Sequence, residues 1–187
     1  MPRAVCSLDD RYGLFRLRTE LCLETLLGVA SGIRNAHIKG AIHRDIKPAN
    51  ILFLDETLRE PQVSDFGICF LRQTTESSRI TEEGETVGAR FFMAPEQERG
   101  EVIDVTPAAD VYALGKLLHF MLTSRHLSRE KLDEAFDQRE ISEDQRLAGV
   151  HGDLLCRMIV EDPAKRIQTA DEVIQITSGM LALFRRH

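Results

Sequence analysis

The sequence is organised around one stretch of eight residues, His43-Arg44-Asp45-Ile46-Lys47-Pro48-Ala49-Asn50. A second signal, Asp65-Phe66-Gly67, begins fifteen residues after the end of that stretch, and a third follows at Ala94-Pro95-Glu96. Each signal alone occurs by chance in many proteins, and an isolated Asp-Lys-Asn cluster is usually a solvated turn. Their order and their separations together are far more specific than any one of them alone.

The three signals resemble the catalytic loop, the metal-binding loop and the end of the activation segment of a protein kinase. The resemblance implies a mainly α (α+β) fold, namely the helical C-terminal (large) lobe of a kinase with a small β-hairpin. Residues 1–187 would then form part of one catalytic domain, with ATP and Mg²⁺ as cofactors and a protein as substrate. The details look more like eukaryotic-type serine/threonine kinases found in bacteria than like animal ones.

The resemblance assigns a role to each polar residue of the site. Asp45 would align the substrate hydroxyl and accept its proton, and Lys47 would stabilise charge on the transferring phosphate. Lys47 also favours Ser/Thr specificity, because tyrosine kinases usually differ at this position. Asn50 and Asp65 would supply hard oxygen ligands to Mg²⁺ beside the nucleotide. Leu52 resembles the residue that lies beneath the adenine ring.

Other residues match the structural supports of the family. Asp110, in Asp110-Val111-Tyr112-Ala113-Leu114-Gly115, is expected to accept backbone N–H groups of the catalytic loop. Glu96 and Arg166 resemble the partners of a buried ion pair, for which the planar arginine fork is better suited than lysine. His43 and Phe66 resemble two members of a hydrophobic stack in the large lobe.

Composition excludes several other classes of protein. The chain has 187 residues, of which 43% are hydrophobic and 29% charged, which is typical of one ordinary globular domain. A net charge of -6 argues against a duplex nucleic-acid partner. No apolar run approaches the roughly 20 residues that span a membrane. Four scattered cysteines (Cys6, Cys22, Cys69 and Cys156) favour free thiols in a reducing cytoplasm over a disulfide framework or a zinc site.

The periodicity of apolar residues places these motifs on secondary structure. Apolar residues at steps of three and four predict an amphipathic helix over Thr19–His37, and Pro107 begins a helix that is apolar on most sides. Two short strands, at 51–54 and 61–64, form a hairpin. Residues 1–17 are expected to be irregular or partly helical, and residues 71–85 to be a mobile surface loop. Further helices are predicted at 129–138, 152–160 and 169–184.

The sequence ahead of the central stretch departs from the family pattern. It contains no Gly-x-Gly-x-x-Gly, and its single lysine is Lys39. We therefore expect the N-terminal lobe and the hinge to be missing, either because the intact form continues upstream or because the gene product is truncated. Loss of even one preorganised donor slows a reaction about 10²–10³-fold. We expect the chain alone to bind ATP weakly, to transfer phosphate poorly or not at all, and to expose apolar surface around Leu52 and Phe66.

The segment before Ala94 departs from the pattern as well. Residues 86–93 resemble the peptide-binding stretch, but Ala89 stands where serine/threonine kinases usually carry a threonine that bonds the catalytic loop. Glu85 falls near the phosphosite of regulated kinases. It either supplies a standing negative charge to Arg44 or belongs to a solvated acidic loop, and both readings stay open.

Two functions follow from these observations. The first is a protein serine/threonine kinase that transfers the γ-phosphate of ATP to Ser or Thr hydroxyls. The alternative is a non-catalytic, truncated kinase-like module that acts as a pseudokinase or scaffold. The intact polar residues of the site favour the first, and the length of the chain favours the second. A kinase for small molecules is a weaker third reading, because the Ala-Pro-Glu triplet and the long segment before it suit a docked peptide.

Overall fold

Helices make up most of the regular structure in this computed structural model, which describes residues 4–16, 18–66, 91–98, 105–127 and 145–186. The principal elements, in chain order, are β1 (Cys6–Ser7), α1 (Leu8–Arg11), α2 (Thr19–Ile38), β2 (Ile51–Phe53), β3 (Pro61–Val63), α3 (Pro95–Glu98), α4 (Pro107–Thr123), α5 (Gln145–Gly149), α6 (Cys156–Met158) and α7 (Ala170–Phe184). Short 3₁₀ turns lie at Tyr12–Leu14, Pro48–Asn50 and Pro163–Lys165, and a π-helical stretch, Val150–Leu155, joins α5 to α6. The observed balance confirms a mainly helical chain with a small sheet.

Helix α4 is the buried centre of the fold. Pro107 occupies its first turn, where a missing N–H costs nothing. Every side chain from Ala108 to Leu122 is buried, in agreement with the prediction of a helix that is apolar on most sides. The helix ends at Ser124, whose φ of 55° is left-handed and whose N–H donates to the carbonyl of Phe120.

Helices α2 and α7 lie antiparallel and cover α4. The predicted helix over Thr19–His37 is confirmed and extends one residue further, to Ile38. Two ion pairs at opposite ends fix the direction, because Glu24 contacts Arg185 and Arg34 contacts Asp171. The apolar face of α2 is buried (Leu23, Leu26, Val29, Ala30 and Ile33), whereas Leu27 is half-buried at its margin.

The sheet has one more strand than the sequence predicted. Strands β2 and β3 form the expected hairpin, with Ile51 opposite Val63 and Phe53 opposite Pro61, although each strand is one residue shorter than predicted. Strand β1 adds to the other edge of β2, with Cys6 opposite Phe53. Two residues are too few to show strand alternation, so this strand could not be predicted from periodicity.

The C-terminal helices agree in position with the prediction but differ in form. The helix predicted at 152–160 begins earlier, at Gln145, and is π-helical over Val150–Leu155. The helix predicted at 169–184 is α7, whose N-cap Thr169 accepts the N–H of Glu172. The predicted helix at 129–138 and the predicted loop at 71–85 lie outside the described residues. Among the helices that the structure describes, none combines the length and the apolarity needed to cross a bilayer.

Candidate active site

The first anchor of the candidate site is Asp110, in the first turn of α4. Its carboxylate is fully buried and accepts backbone N–H groups from His43 at 2.9 Å and from Arg44 at 2.8 Å. The Nε2 atom of His37, at the end of α2, donates to the same carboxylate at 2.8 Å. The predicted support of the loop by Asp110 is therefore confirmed, and His37 is a partner that the sequence reasoning missed.

The imidazole of His43 links the loop to the end of β3. Its Nδ1 atom accepts the N–H of Asp45 at 3.2 Å, so that nitrogen carries no proton. Its Nε2 atom lies 2.8 Å from the carbonyl oxygen of Ser64 and must be the donor in that contact. The neutral tautomer with its proton on Nε2 satisfies both contacts. Through it, His43 connects the loop to Ser64, the residue before Asp65.

The carboxylate of Asp45 lies between two nitrogen donors. Its Oδ2 atom is 2.9 Å from Lys47 Nζ and 3.1 Å from Asn50 Nδ2. Asn50 also donates to the backbone carbonyl of Asp45 at 2.8 Å, which closes the loop on itself. The side chains of Asp45 and Lys47 are 28% and 27% exposed, so the carboxylate is held firmly and is still open to a second molecule. Three of the predicted site residues are thus in direct contact.

Ser64 connects Asn50 with Asp65. The carbonyl oxygen of Asn50 accepts both the N–H of Ser64 at 2.9 Å and its hydroxyl at 3.2 Å. The same hydroxyl lies 3.2 Å from Asp65 Oδ2. Because Asn50 uses its NH₂ group on Asp45, its amide oxygen is directed away from that carboxylate. A neutral oxygen and a carboxylate oxygen are the hard donors that Mg²⁺ takes from a protein, so these two residues fit that ion.

This donor set is small, which also suits magnesium. Among the described residues no cluster of three His, Cys, Asp or Glu side chains could hold a metal by itself. Mg²⁺ usually keeps several waters and binds through one or two protein oxygens together with substrate phosphates. Asn50 and Asp65 could supply two such oxygens.

Two residues of the candidate site have left-handed backbone conformations. The φ angles are 68° at Arg44 and 62° at Asp65. Such a conformation costs about 1–3 kcal/mol for a residue other than glycine, and it persists only where neighbouring contacts enforce it. At Arg44 the enforcing contact is the bond from its N–H to the buried carboxylate of Asp110. Strain of this kind is concentrated at sites where a side chain must point in one direction.

The apolar part of the site lies on β2 and just after β3. Leu52 alternates with the buried Ile51 and Phe53 and is itself half-buried. Phe66 contacts the ring of His43 edge to face, with 4.6 Å between centroids, and keeps 37% of its surface exposed. The predicted contact between these two rings and the predicted exposure of Phe66 are confirmed. Gly67, the last residue of the second signal, lies outside the described residues.

The family follows from a comparison of the whole chain with family models. The model described as "Protein kinase domain" matches residues 9–177, which include every motif discussed above. The chain belongs to the protein kinase family. Its relatives include a probable serine/threonine-protein kinase of Clostridium perfringens, 30% identical over 83% of this chain. They also include the serine/threonine-protein kinase PknB of Mycobacterium leprae, 31% identical over 84% of the chain.

A third relative matches nearly all of this kinase-family chain. It is the serine/threonine-protein kinase drp72 of Corynebacterium efficiens, 31% identical over 95% of the chain. The matched parts make up 23%, 26% and 33% of the three relatives, so the chain spans about a quarter to a third of their lengths. The resemblance to eukaryotic-type serine/threonine kinases of bacteria is therefore confirmed.

The buried ion pair of this kinase-family chain is confirmed in detail. Arg166 Nη1 and Nη2 donate to the two carboxylate oxygens of Glu96 at 2.8 Å and 3.2 Å. The arginine side chain is 0% exposed and the glutamate 5% exposed. The guanidinium also lies 4.9 Å above the ring of Tyr112, at the centre of α4. The pair fixes α3 to the core.

The segment that enters α3 is also packed through aromatic rings. His126, just after α4, lies between Phe91 and Phe120, with 4.7 Å and 4.9 Å between ring centroids. Partial desolvation against these rings lowers the pKa of His126 below its ordinary value, although Asp9 opposes that shift and much of the side chain is exposed. Residues Glu85 and Ala89, on which the regulatory and substrate expectations rest, lie outside the described residues.

Gln97 is a second contact that the sequence reasoning missed. Its Nε2 atom donates to the carbonyl of Arg44 at 2.9 Å, and its Oε1 atom accepts the N–H of Ala94 at 3.3 Å. The residue joins α3 to the catalytic loop across 53 positions of sequence. The only signal in the sequence was its place directly after Glu96, which does not reveal such a distant partner.

Proposed function

We propose that residues 1–187 form the large lobe of a protein serine/threonine kinase domain that uses ATP and Mg²⁺. The observation that carries the proposal is the Asp45 carboxylate held between Lys47 and Asn50 at the end of a loop anchored on buried Asp110. A partly exposed carboxylate with an ammonium beside it suits the alignment of a hydroxyl next to a phosphate that gains negative charge. The kinase relatives support the same reading.

In this proposal each polar residue has one task. Asp45 orients the substrate hydroxyl and accepts its proton, and Lys47 places a positive charge beside the transferring phosphate. Asn50 and Asp65 would hold Mg²⁺, which supplies charge neutralisation at the nucleotide phosphates when bound. Leu52, half-buried on β2, offers an apolar surface for the adenine. The substrate would be a protein segment carrying serine or threonine.

Phosphate transfer from labelled ATP to a general protein substrate tests the proposal. The purified chain is compared with Asp45→Asn, which keeps the shape of the side chain and removes its negative charge. The transfer is expected to be slow in the parent chain and to fall by a further factor of about 10²–10⁴ in Asp45→Asn, with little change in the KM for ATP. Asp171→Asn, at a side chain that is 60% exposed on α7, is the matched control and should keep full activity.

A binding measurement gives a second readout that does not depend on turnover. Titration of the chain with ATP should show weak binding that requires Mg²⁺ and is weakened further by Asp65→Asn. Phosphoamino-acid analysis of the product should give phosphoserine or phosphothreonine and no phosphotyrosine. Equal transfer by the chain and by Asp45→Asn, whether measurable or absent, would remove the catalytic assignment for residues 1–187 and favour the non-catalytic module.

A further inference from the structure

The peptide group between Arg44 and Asp45 is held at both of its polar ends. Its carbonyl oxygen, on Arg44, accepts a hydrogen bond from Gln97 Nε2 at 2.9 Å. Its N–H, on Asp45, donates to His43 Nδ1 at 3.2 Å. These atoms belong to one planar unit, which can only rotate as a whole. The two bonds together therefore set the orientation of that plane and the direction in which the Asp45 side chain leaves the backbone.

The amide of Gln97 serves two elements at once. Pro95 is the first residue of α3 and Gln97 the third, so the acceptance of the Ala94 N–H by Gln97 Oε1 is the return half of a capping box. The NH₂ group of the same amide is left to bond the catalytic loop. Among side chains of this length only a primary amide both accepts at one end and donates at the other.

The other anchors of the loop act on different atoms. Asp110 accepts the N–H groups of His43 and Arg44, which fixes the chain up to the α-carbon of Arg44. The orientation of the next peptide plane then depends on two bonds of Arg44, namely N–Cα, whose φ of 68° is left-handed, and Cα–C. Among the described residues, Gln97 supplies the hydrogen bond to the carbonyl of that plane.

We propose that Gln97 is a positioning residue, which orients the Asp45 carboxylate by bridging the N-terminus of α3 to the carbonyl of Arg44. The inference rests on the proposed function, because Asp45 is the group that meets the substrate hydroxyl there. It also implies that the placement of the Ala94-Pro95-Glu96 segment is transmitted to the catalytic carboxylate through one side chain.

Gln97→Glu separates the two contacts of the side chain. The introduced carboxylate still accepts the N–H of Ala94, and glutamate is a favoured residue at this helix position. The carboxylate cannot donate to the carbonyl of Arg44, so two acceptor oxygens would face each other in place of the present hydrogen bond. Gln97→Met removes both contacts at similar volume. Gln175→Glu makes the same change of charge at an exposed position of α7 and is the matched control.

The first readout is the hydrogen exchange of the Asp45 amide, measured by NMR on the full chain together with the ring ¹⁵N resonances of His43. At pH 8 we expect Gln97→Glu to lose at least about tenfold in protection at that amide, since one hydrogen bond of typical net strength is removed. Lowering the pH toward 5 begins to protonate the introduced carboxyl, which then donates as the amide did, so protection recovers in part. Gln97→Met should lose protection at both pH values, and Gln175→Glu should match the parent chain.

The second readout is phosphate transfer. Gln97→Glu should lower kcat about tenfold and leave the KM for ATP unchanged, because the nucleotide ligands are not touched. Unchanged protection at the Asp45 amide in both Gln97 variants, or equal losses in Gln175→Glu, would overturn the inference. In a chain whose transfer depends on Asp45, lost protection with an unchanged kcat would overturn it as well. Failure of the proposed function has a different signature, namely transfer that is insensitive to Asp45→Asn, and the exchange data then still decide whether Gln97 orients the loop.

Discussion

Replacement of Arg166 by lysine should destabilise the chain strongly, although it keeps the charge. All five N–H groups of the arginine are used. Two go to the carboxylate of Glu96 and the other three to backbone carbonyls, those of Ala108, Val160 and Glu161. Lysine carries three donors on one atom, so at least two of these buried or partly buried acceptors lose their partners. Each such loss costs about 1–3 kcal/mol.

The expected total for two such losses is about 2–6 kcal/mol. For a chain of this size each kcal/mol lowers the melting temperature by roughly 2–4 °C, so Arg166→Lys should melt about 10 °C lower. Urea unfolding followed by circular dichroism measures the free energy directly. The same substitution at Arg185, whose side chain is 61% exposed in its pair with Glu24, should change stability by less than about 1 kcal/mol.

The comparison between the two arginines tests whether the guanidinium donors of Arg166 stabilise the fold. If Arg166→Lys and Arg185→Lys unfold at the same urea concentration, the guanidinium fork contributes nothing beyond its charge, and the reasoning from unpaired acceptors is wrong. A double-mutant cycle adds a second check. Combining Arg166→Met with Glu96→Gln should cost less than the sum of the single changes, because each single change leaves a buried charge alone.

Three further predictions concern packing and titration. Gly28→Ala should lower the free energy of unfolding by about 1–3 kcal/mol, because the new Cβ would lie 2.5 Å from Pro61 Cγ. At Gly179 a new Cβ meets open space, so Gly179→Ala should stabilise α7 by about 0.5–1 kcal/mol. Urea unfolding measures both changes. Burial raises the pKa of Cys22 to about 12, so a maleimide at pH 8 should label this thiol only after unfolding, as read by mass spectrometry. The pKa of His126 lies below 6.5 in the fold, so the unfolded chain binds more protons as the pH falls from 7 to 5.5. Stability should therefore drop over that range, and it should drop less in His126→Phe when urea midpoints are compared.

The large helices could be predicted because their signals are local. Apolar steps of three and four give α2, and a proline followed by a nearly continuous apolar run gives α4. The two-residue strand β1 and the π-helical turn at Val150–Leu155 could not be predicted, since neither has a period of its own. Those features depend on what the segment packs against.

The candidate site was predictable to the extent that its residues lie in motifs. The contacts of Asp110 with the loop and of Glu96 with Arg166 were expected from the family pattern and are present. The left-handed backbone of Arg44 was not expected, because arginine has no preference for that conformation. The bridge from Gln97 was not expected either, because its partner is brought near by the tertiary fold and leaves no trace in the local sequence.

The antiparallel packing of α2 against α7 has a consequence during synthesis on the ribosome. One of the helices that cover the apolar face of α2 begins only at Ala170, about 130 residues after Ile38. At typical translation rates of 5–20 residues per second, that face waits roughly 10 s for its partner. During that interval the nascent chain exposes the apolar face of α2. A chaperone that binds this face should therefore raise the yield of folded protein.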